Sequence, residues 1–181
     1  MESRIHSKLQ HYGNWTAFRD DLAQPDPTLP RGAKVRQFGI MAAKYPGPMV
    51  VGCAAVSGMQ MYLAAAGQQL GREAHVFVPA RKVPSEATVW AEEHGAIIHP
   101  IRPGHASVYK SRARDFGKAQ EGTVRWDLHT AIVDARQQSM GIAVDAKRLV
   151  VPVGSGLTLA GLLVGLALAE VQIPVVGVQV S

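Results

Sequence analysis

Residues 149–158 combine an apolar strand pattern with a glycine loop that could bind an anion. The run LVVPV is followed by Gly154, Ser155, Gly156, Leu157 and Thr158, and then by an apolar segment of helical length. Glycines let backbone N–H groups approach an anion closely, and a helix N-terminus carries about half a positive charge. Ser155 and Thr158 add hydroxyl donors. Because the spacing matches neither a P-loop nor a dinucleotide loop, a phosphate site and a plain capped turn are the two interpretations.

Two stretches upstream carry further side chains with chemical potential. Lys34 stands in RGAKVRQF, shortly after FRDDL at 18–22, and Ser57 with Gly58 follows the apolar run MVVGCAAV. A lysine that loses its proton is a nucleophile for carbonyl compounds, but its ordinary pKa of about 10.4 opposes this. The plain alternative for Lys34 is a solvated lysine at a helix start. No base has a spacing that would make Ser57 a hydrolase nucleophile, and no histidine pair has metal-binding spacing.

Strand and helix patterns alternate along the chain and would position these residues. Predicted strands, in order, are MVVGCAAV, EAHVFVP, AIIHPI, RLVVPV and PVVGVQV. Predicted helices are AKVRQFGIMAAKY, SGMQMYLAAAGQQLG with Gly71 as its C-cap, SEATVWAEEHG with Ser85 as its N-cap, residues 105–120, and LTLAGLLVGLALAE. This order predicts a parallel sheet with helices on both faces, and ligands bind such sheets at the carboxyl ends of strands.

Composition excludes some classes of protein. The single cysteine, Cys53, cannot form an intrachain disulfide, and the N-terminal residues lack an apolar signal segment, so we expect a cytoplasmic protein. The net charge of +5 is concentrated between residues 102 and 125, which favours a solvated basic helix face, with a nucleic-acid partner as the weaker alternative. Residues 158–169 would span only about 18 Å, against the roughly 30 Å of a bilayer, so we expect no membrane segment.

Taken together, these stretches resemble the fold-type II pyridoxal-phosphate enzymes, which include threonine dehydratase, cysteine synthase, D-cysteine desulfhydrase and aminocyclopropane-carboxylate deaminase. The segment VVPVGSGLTLAGLLVGLALA followed by PVVGVQVS is similar to the phosphate-loop region of that superfamily. FRDDL followed by RGAKVRQF is similar to the lysine segment of the desulfhydrase and deaminase branch. VVGCAAVSGMQMYLAAAGQQLGREAHVFVPA is similar to the small domain. The resemblance covers residues from about 15 to 181 in the order of the family.

The resemblance implies a fold, a cofactor and a set of site residues. It implies an α/β fold of two lobes, each a parallel sheet with flanking helices: a smaller domain at 46–124 and a larger, incomplete domain at 1–45 and 125–181. It implies pyridoxal 5'-phosphate, bound covalently by Lys34 and held at its phosphate by Gly154, Ser155, Gly156, Leu157 and Thr158. Lys34 and Ser57 would be catalytic, and the substrate carboxylate would bind Ser57, Gly58 and Met59. The implied activity is that of a lyase or deaminase acting on a small amino acid.

The sequence departs from the family pattern in three ways. Leu157 stands where the family usually has glycine, and Gly58 or Met59 stands where an asparagine usually contacts the cofactor ring. The segment that completes the large domain in relatives is missing. These departures favour the alternative of a non-catalytic binding or assembly protein descended from the fold. An uncovered strand edge at 175–180 predicts a homo-oligomer or a complementing partner chain.

Overall fold

Two stretches of the chain pack separately: a first unit, Met1–Trp126, and a second unit, Asp127–Ser181. The computed structural model describes residues 8–19, 30, 32–44, 46–120, 124–125, 132, 146–154 and 156–180. Each unit is described by itself below. The assignment of residues 1–45 and 125–181 to one larger domain stays a prediction.

A short antiparallel hairpin precedes the first sheet. It consists of β1 (Lys8–Tyr12) and β2 (Trp15–Arg19), joined by a turn in which Gly13 has a φ of +57°. Arg19 on β2 donates hydrogen bonds to the Gln10 amide oxygen at 2.5 Å and to the Tyr12 hydroxyl at 2.7 Å, both across the hairpin on β1. Sequence analysis did not predict these strands, because the polar and aromatic residues of this stretch show no clear apolar alternation.

A four-stranded parallel sheet forms the centre of the first unit. Its strands lie in the order β5-β4-β3-β6. The elements, in chain order, are α1 (Ala33–Lys44), β3 (Met49–Gly52), α2 (Met59–Leu70), β4 (Ala74–Pro79), α3 (Glu86–Glu93), β5 (Ala96–Ile101), α4 (Ala106–Ala119) and β6 (Val124–Arg125). The predicted parallel α/β architecture with flanking helices is therefore confirmed.

Helices cover both faces of this sheet. One face packs against α1, α2 and α3 in a core that includes Phe38, Met41, Met49, Val51, Leu63, Val76, Val78 and Ala91. On the other face, Val50 and Phe77 pack against Ala113 and Phe116 of α4. Successive residues of β3 and β4 thus belong to opposite cores, which explains why these strands are apolar throughout rather than alternating with polar residues.

The predicted helix boundaries that depend on caps are confirmed. Gly71 ends α2 in the left-handed conformation, with a φ of +62°, and its N–H donates to the carbonyl of Gln68. The Ser85 hydroxyl begins α3 by accepting a hydrogen bond from the Thr88 amide at 3.2 Å. Each cap satisfies a backbone group that the helix itself leaves unpaired.

The second unit contains a strand–helix–strand motif. Strands β7 (Leu149–Val153) and β8 (Val175–Gln179) pair in parallel, and α5 (Leu157–Leu168) connects them. The helix buries Gly161, Gly165 and Leu166 and exposes Leu163 and Leu168. Among the described residues no helix is long and apolar enough to cross a membrane.

Helix α4 contacts strand β3 through backbone atoms at Gly52. A Cβ atom built on Gly52 would lie 2.5 Å from the carbonyl oxygen of Tyr109 and 2.9 Å from the Cα of Lys110. Real Cβ atoms do not approach backbone atoms so closely, and neither partner is a flexible side chain that could move aside. The packing of α4 on the sheet therefore requires glycine at this position.

We expect Gly52→Ala to destabilise the protein strongly, because the methyl group forces α4 away from β3. The cost should reach or exceed the upper end of about 1–3 kcal/mol, as measured by urea unfolding. The matched control is Gly39→Ala in α1, where nothing lies within 4 Å of the built Cβ and alanine favours the helix by about 0.5–1 kcal/mol. Equal unfolding midpoints for the two variants would contradict this close packing.

Two histidines on neighbouring strands are hydrogen-bonded to each other beneath α4. The Nδ1 atom of His75 lies 3.0 Å from Nε2 of His99, and Nε2 of His75 lies 3.3 Å from a carboxylate oxygen of Glu73. The His99 ring stacks on Phe77, and Phe116 packs against both imidazoles. One nitrogen of the His75–His99 bond must accept, so the pair cannot be doubly protonated without losing it.

The pH dependence of stability follows from His99. Burial, and to a lesser extent the nearby His75, lowers the pKa of His99 from its ordinary value of 6.5. The unfolded chain therefore binds this proton first as the pH falls, so the native state is progressively destabilised below about pH 6.5 and unaffected by this group above it. We expect the melting temperature of wild type to fall between about pH 8 and pH 5 by more than that of His99→Gln. Parallel pH profiles would contradict this assignment.

Candidate functional site

The loop between β3 and α2 lies at the carboxyl end of a central strand, where the sequence predicts substrate binding. The Cys53 amide donates to the Phe77 carbonyl at 3.1 Å and so extends the pairing of β3 with β4. The Ser57 amide then closes a turn onto the Ala54 carbonyl at 2.9 Å, and the Ser57 hydroxyl accepts from the Met59 amide at 3.3 Å. Ser57 and Gly58 thus stand directly before the first residue of α2.

The amides of this loop are not equally free to bind a ligand. Those of Ser57, Met59 and Gln60 are already hydrogen-bonded within the turn. No group in the described part of the chain accepts a hydrogen bond from the Gly58 amide. Gly58 is also the N-cap of α2 and has no side chain to cap the helix. An anion at this loop would therefore meet the Gly58 N–H group.

A polar network that the sequence analysis missed lies behind the loop. The carbonyl oxygen of Ala55 accepts hydrogen bonds from the Gln60 side-chain amide at 2.6 Å and from the Ser85 hydroxyl. The Thr88 hydroxyl donates to the Gln60 side-chain oxygen at 2.9 Å. Ser85 was predicted only as a helix cap. The remaining signal in the sequence was Gln60 itself, a polar residue within a helix predicted to be Ala-rich and buried.

Cys53 is buried at the start of this loop and is not a nucleophile. Burial raises the pKa of the Cys53 thiol from 9.0 to about 12, and the hydrogen bond from Ser57 opposes that rise only in part. The thiolate, which is the reactive form, is therefore scarce at neutral pH. The Ser57 hydroxyl is also committed to contacts with Cys53 and the Met59 amide, so it has a structural role in the turn.

Lys34 lies near the same loop, across the ring of Tyr62. It is half-buried at the second position of α1, and its Nζ atom lies 5.8 Å from the centre of the Tyr62 ring. The edge of that ring would be 3.5 Å from a Cβ built on Gly58. The packing of α1 on α2 thus brings together two of the predicted site segments, Lys34 and the loop at Ser57–Met59. Tyr62 was not singled out by sequence analysis.

The predicted phosphate loop lies in the second unit, between β7 and α5. Gly156 is the N-cap of α5 with a φ of +79°, a conformation that favours glycine, and it offers no side-chain cap. Leu157 is half-buried and Thr158 is exposed at the start of the helix, while Gly154 is exposed after β7. Ser155 lies outside the described residues. The first amides of α5 precede the helical hydrogen bond from Ala160 to Gly156, so they are available to an anion.

Two other interpretations from the sequence can be compared with the structure. The basic residues Lys110, Arg112, Arg114 and Lys118 lie exposed on α4, as expected of a solvated helix face. Within the described residues, no group of three histidine, cysteine or acidic side chains could hold a metal ion.

Comparison with known proteins identifies the fold. No family model and no curated protein sequence matches the chain. Among solved structures, the processed form of threonine deaminase isoform 2 from Solanum lycopersicum is similar, with a TM-score of 0.59, 16% identity, and coverage of 81% of this chain and 42% of that chain. A pyridoxal 5'-phosphate-dependent aspartate racemase gives 0.59, 17%, 81% and 46% for the same quantities. A second threonine deaminase, from T.th., gives 0.55, 22%, 81% and 49%.

The chain has the fold of fold-type II pyridoxal-phosphate enzymes. The resemblance predicted from the sequence is therefore confirmed at the level of the fold. The chain spans about half the length of these solved structures, between 42% and 49% of each. The matches give no support for a nucleic-acid partner.

We expect Cys53 to resist thiol reagents in the native protein. With a pKa of about 12, the thiolate fraction is on the order of one in ten thousand at about pH 8, and burial adds a barrier to access. The reaction with a chromogenic disulfide should be slow until denaturant is added. The matched control is Val56→Cys in a Cys53→Ser background, because Val56 is 69% exposed. Equal rates for the two thiols would contradict the buried environment of Cys53.

Proposed function

We propose that this chain forms the cofactor-binding part of a pyridoxal-phosphate-dependent lyase or deaminase that acts on a small amino acid. The observation that carries the proposal is the placement of Lys34 beside the loop at Ser57–Met59. The fold that the chain shares with solved pyridoxal-phosphate enzymes supports the choice of cofactor. The whole activity is proposed for the assembled protein, since the chain spans about half of those structures.

The residues present fit the phosphate of this cofactor. The first turn of α5 offers amides that no side chain caps, at a glycine whose built Cβ would meet open space. Gly154, Ser155, Gly156, Leu157 and Thr158 would hold the phosphate there. An anion at a helix N-terminus gains from the aligned peptide dipoles as well as from the individual hydrogen bonds. The apolar Leu157 contributes its amide to this cradle.

Lys34 and the Ser57–Met59 loop would divide the remaining work. When bound, pyridoxal phosphate supplies an electron sink for the substrate carbanion. Lys34 would hold the cofactor through its amine and move the proton at the substrate α-carbon. The open Gly58 amide and the neighbouring Ser57 and Met59 would receive the substrate carboxylate and fix its orientation. Tyr62, between Lys34 and Gly58, would set the distance between these two groups.

One feature favours a second candidate function, that of a non-catalytic binding or assembly protein. Gly58 and Met59 offer no polar side chain to the cofactor ring oxygen. In the described loop, the side-chain amide of Gln60 cannot replace the missing asparagine, because it is buried and bonded to Ala55. A chain that had lost catalysis would keep the fold and the anion cradle without this contact.

A cofactor-trapping experiment separates the two candidates. We expect purified protein mixed with pyridoxal phosphate to develop the visible absorption of the lysine-bound cofactor, and borohydride to fix the cofactor on the peptide that contains Lys34. Lys34→Ala should abolish the band and the mass increase. Lys110→Ala is the matched control, because Lys110 is an exposed lysine on α4.

The trapping experiment also has outcomes that contradict the enzyme proposal. Labelling that persists in Lys34→Ala would assign the lysine wrongly. A protein that binds inorganic phosphate but forms no lysine-bound cofactor would support the non-catalytic candidate instead.

We further propose that the assembled protein is a homo-oligomer or contains a complementing chain. The apolar side chains exposed on the second unit support this: Val150, Leu163, Val164, Leu168, Val176, Val178 and Val180. Contiguous exposed apolar surface is uncommon in isolated monomers and usually marks an interface. The cytoplasmic location stays a prediction.

A further inference from the structure

We propose that Gln60, Ser85 and Thr88 are positioning residues that fix the substrate-receiving loop through the carbonyl of Ala55. This inference rests on the proposed function, because it assigns to these side chains the orientation of the loop that would bind the substrate carboxylate. None of the three is proposed to touch substrate or cofactor.

The three side chains converge on one backbone group of the loop. The Gln60 amide nitrogen donates to the Ala55 carbonyl at 2.6 Å and lies 3.4 Å from that of Ala54. The Ser85 hydroxyl donates to the same Ala55 oxygen across 30 residues of sequence. A carbonyl oxygen has two lone pairs, and here both are directed at protein donors.

Burial shows that these bonds are not surface accidents. Gln60 is 0% exposed and Thr88 is 8% exposed, so their polar groups were removed from water on folding. Burying an amide or hydroxyl costs free energy unless it is hydrogen-bonded. The Thr88 hydroxyl satisfies the Gln60 oxygen at 2.9 Å, while the Gln60 nitrogen satisfies the loop. An apolar pair would fill this space without that cost, but it would not specify where the loop stands.

The network ties the loop to the starts of two helices. Ser85 accepts from the Thr88 amide as the N-cap of α3 and at the same time donates to Ala55. Gln60 is in the first turn of α2, one residue after Met59. The anchored Ala55 is therefore two residues before Ser57 and three before Gly58. With Ala55 fixed, the turn from Ala54 to Ser57 has one orientation, and the open Gly58 amide has one direction.

Such anchoring matters because a carboxylate must be bound in one pose for proton transfer at the adjacent carbon. A donor that is already oriented loses less entropy when the ligand binds, so binding is tighter and the reacting atoms are aligned. A loop without the anchor could still form, but it would sample several directions of the Gly58 N–H group.

The decisive variants change one hydrogen bond each. Thr88→Val keeps the shape of the side chain and removes the hydroxyl that orients Gln60, and Thr88→Ser restores that hydroxyl. Ser85→Asp retains an acceptor for the cap of α3, since aspartate is a good N-cap, but it cannot donate to Ala55. Ser85→Asp therefore separates helix capping from loop anchoring if Thr88→Val fails to fold.

The first readout is amide hydrogen exchange in the protein without any ligand. We expect Thr88→Val and Ser85→Asp to raise exchange of the Ser57 and Gly58 amides by about tenfold, the effect of losing one hydrogen bond. Exchange in β4 should be unchanged, and Thr88→Ser should behave as wild type. Unchanged loop exchange, or an equal rise throughout the first unit, would overturn the positioning role.

The second readout compares two probes with the cofactor-loaded protein. L-serine carries the carboxylate and L-serinamide lacks it, and binding of either is followed by the absorption of the lysine-bound cofactor. We expect Thr88→Val to weaken L-serine binding by about tenfold and to leave L-serinamide binding unchanged. Equal weakening of both probes would contradict a carboxylate-specific role.

These outcomes distinguish this inference from the proposed function. If wild type takes up no cofactor, the proposed function fails, and the exchange experiment still decides whether the network positions the loop. If wild type takes up cofactor and the exchange of the loop is the same in every variant, the proposed function stands and this inference fails.

Discussion

Burial of one parallel sheet on both faces is the constraint on which the first unit depends. Strand β4 supplies Val76 and Val78 to the core beneath α1, α2 and α3, and Phe77 to the core beneath α4. Such strands need a helix after each of them, since parallel neighbours cannot be joined by a tight turn. The helices in turn place every strand-to-helix loop at the same edge of the sheet. The candidate substrate loop after β3 is where it is because of this requirement.

Much of this architecture could be predicted because it depends on local patterns. The uninterrupted apolar runs at 74–79 and 149–153, the cap at Ser85 and the terminator at Gly71 each act over a few residues. The hairpin at 8–19 was missed, since it has no apolar face and is held by polar contacts such as those of Arg19. Two-residue β6 was missed because it carries no signal of its own.

The candidate site was only partly readable for the same reason. Lys34, Ser57 and the glycine loop could be singled out because residue type and spacing point to chemistry. The contacts that organise them join distant parts of the chain: Ser85 with Ala55, and Lys34 with Tyr62. No sequence window contains both partners of either contact, so only a folded chain reveals them. The protonation of Cys53 likewise depends on burial, which its neighbours in sequence do not determine.

The backbone contact at Gly52 has a consequence for motion. Ridges of side chains normally let a packed helix slide against a sheet by small steps, but here the carbonyl of Tyr109 occupies the space that a side chain would fill. The residues on either side of Gly52, Val51 and Cys53, carry side chains, so the helix has no second position one step along the strand. Helix α4 is therefore locked in translation along β3, and its basic face stays at a constant height above the sheet edge where the ligand loops lie.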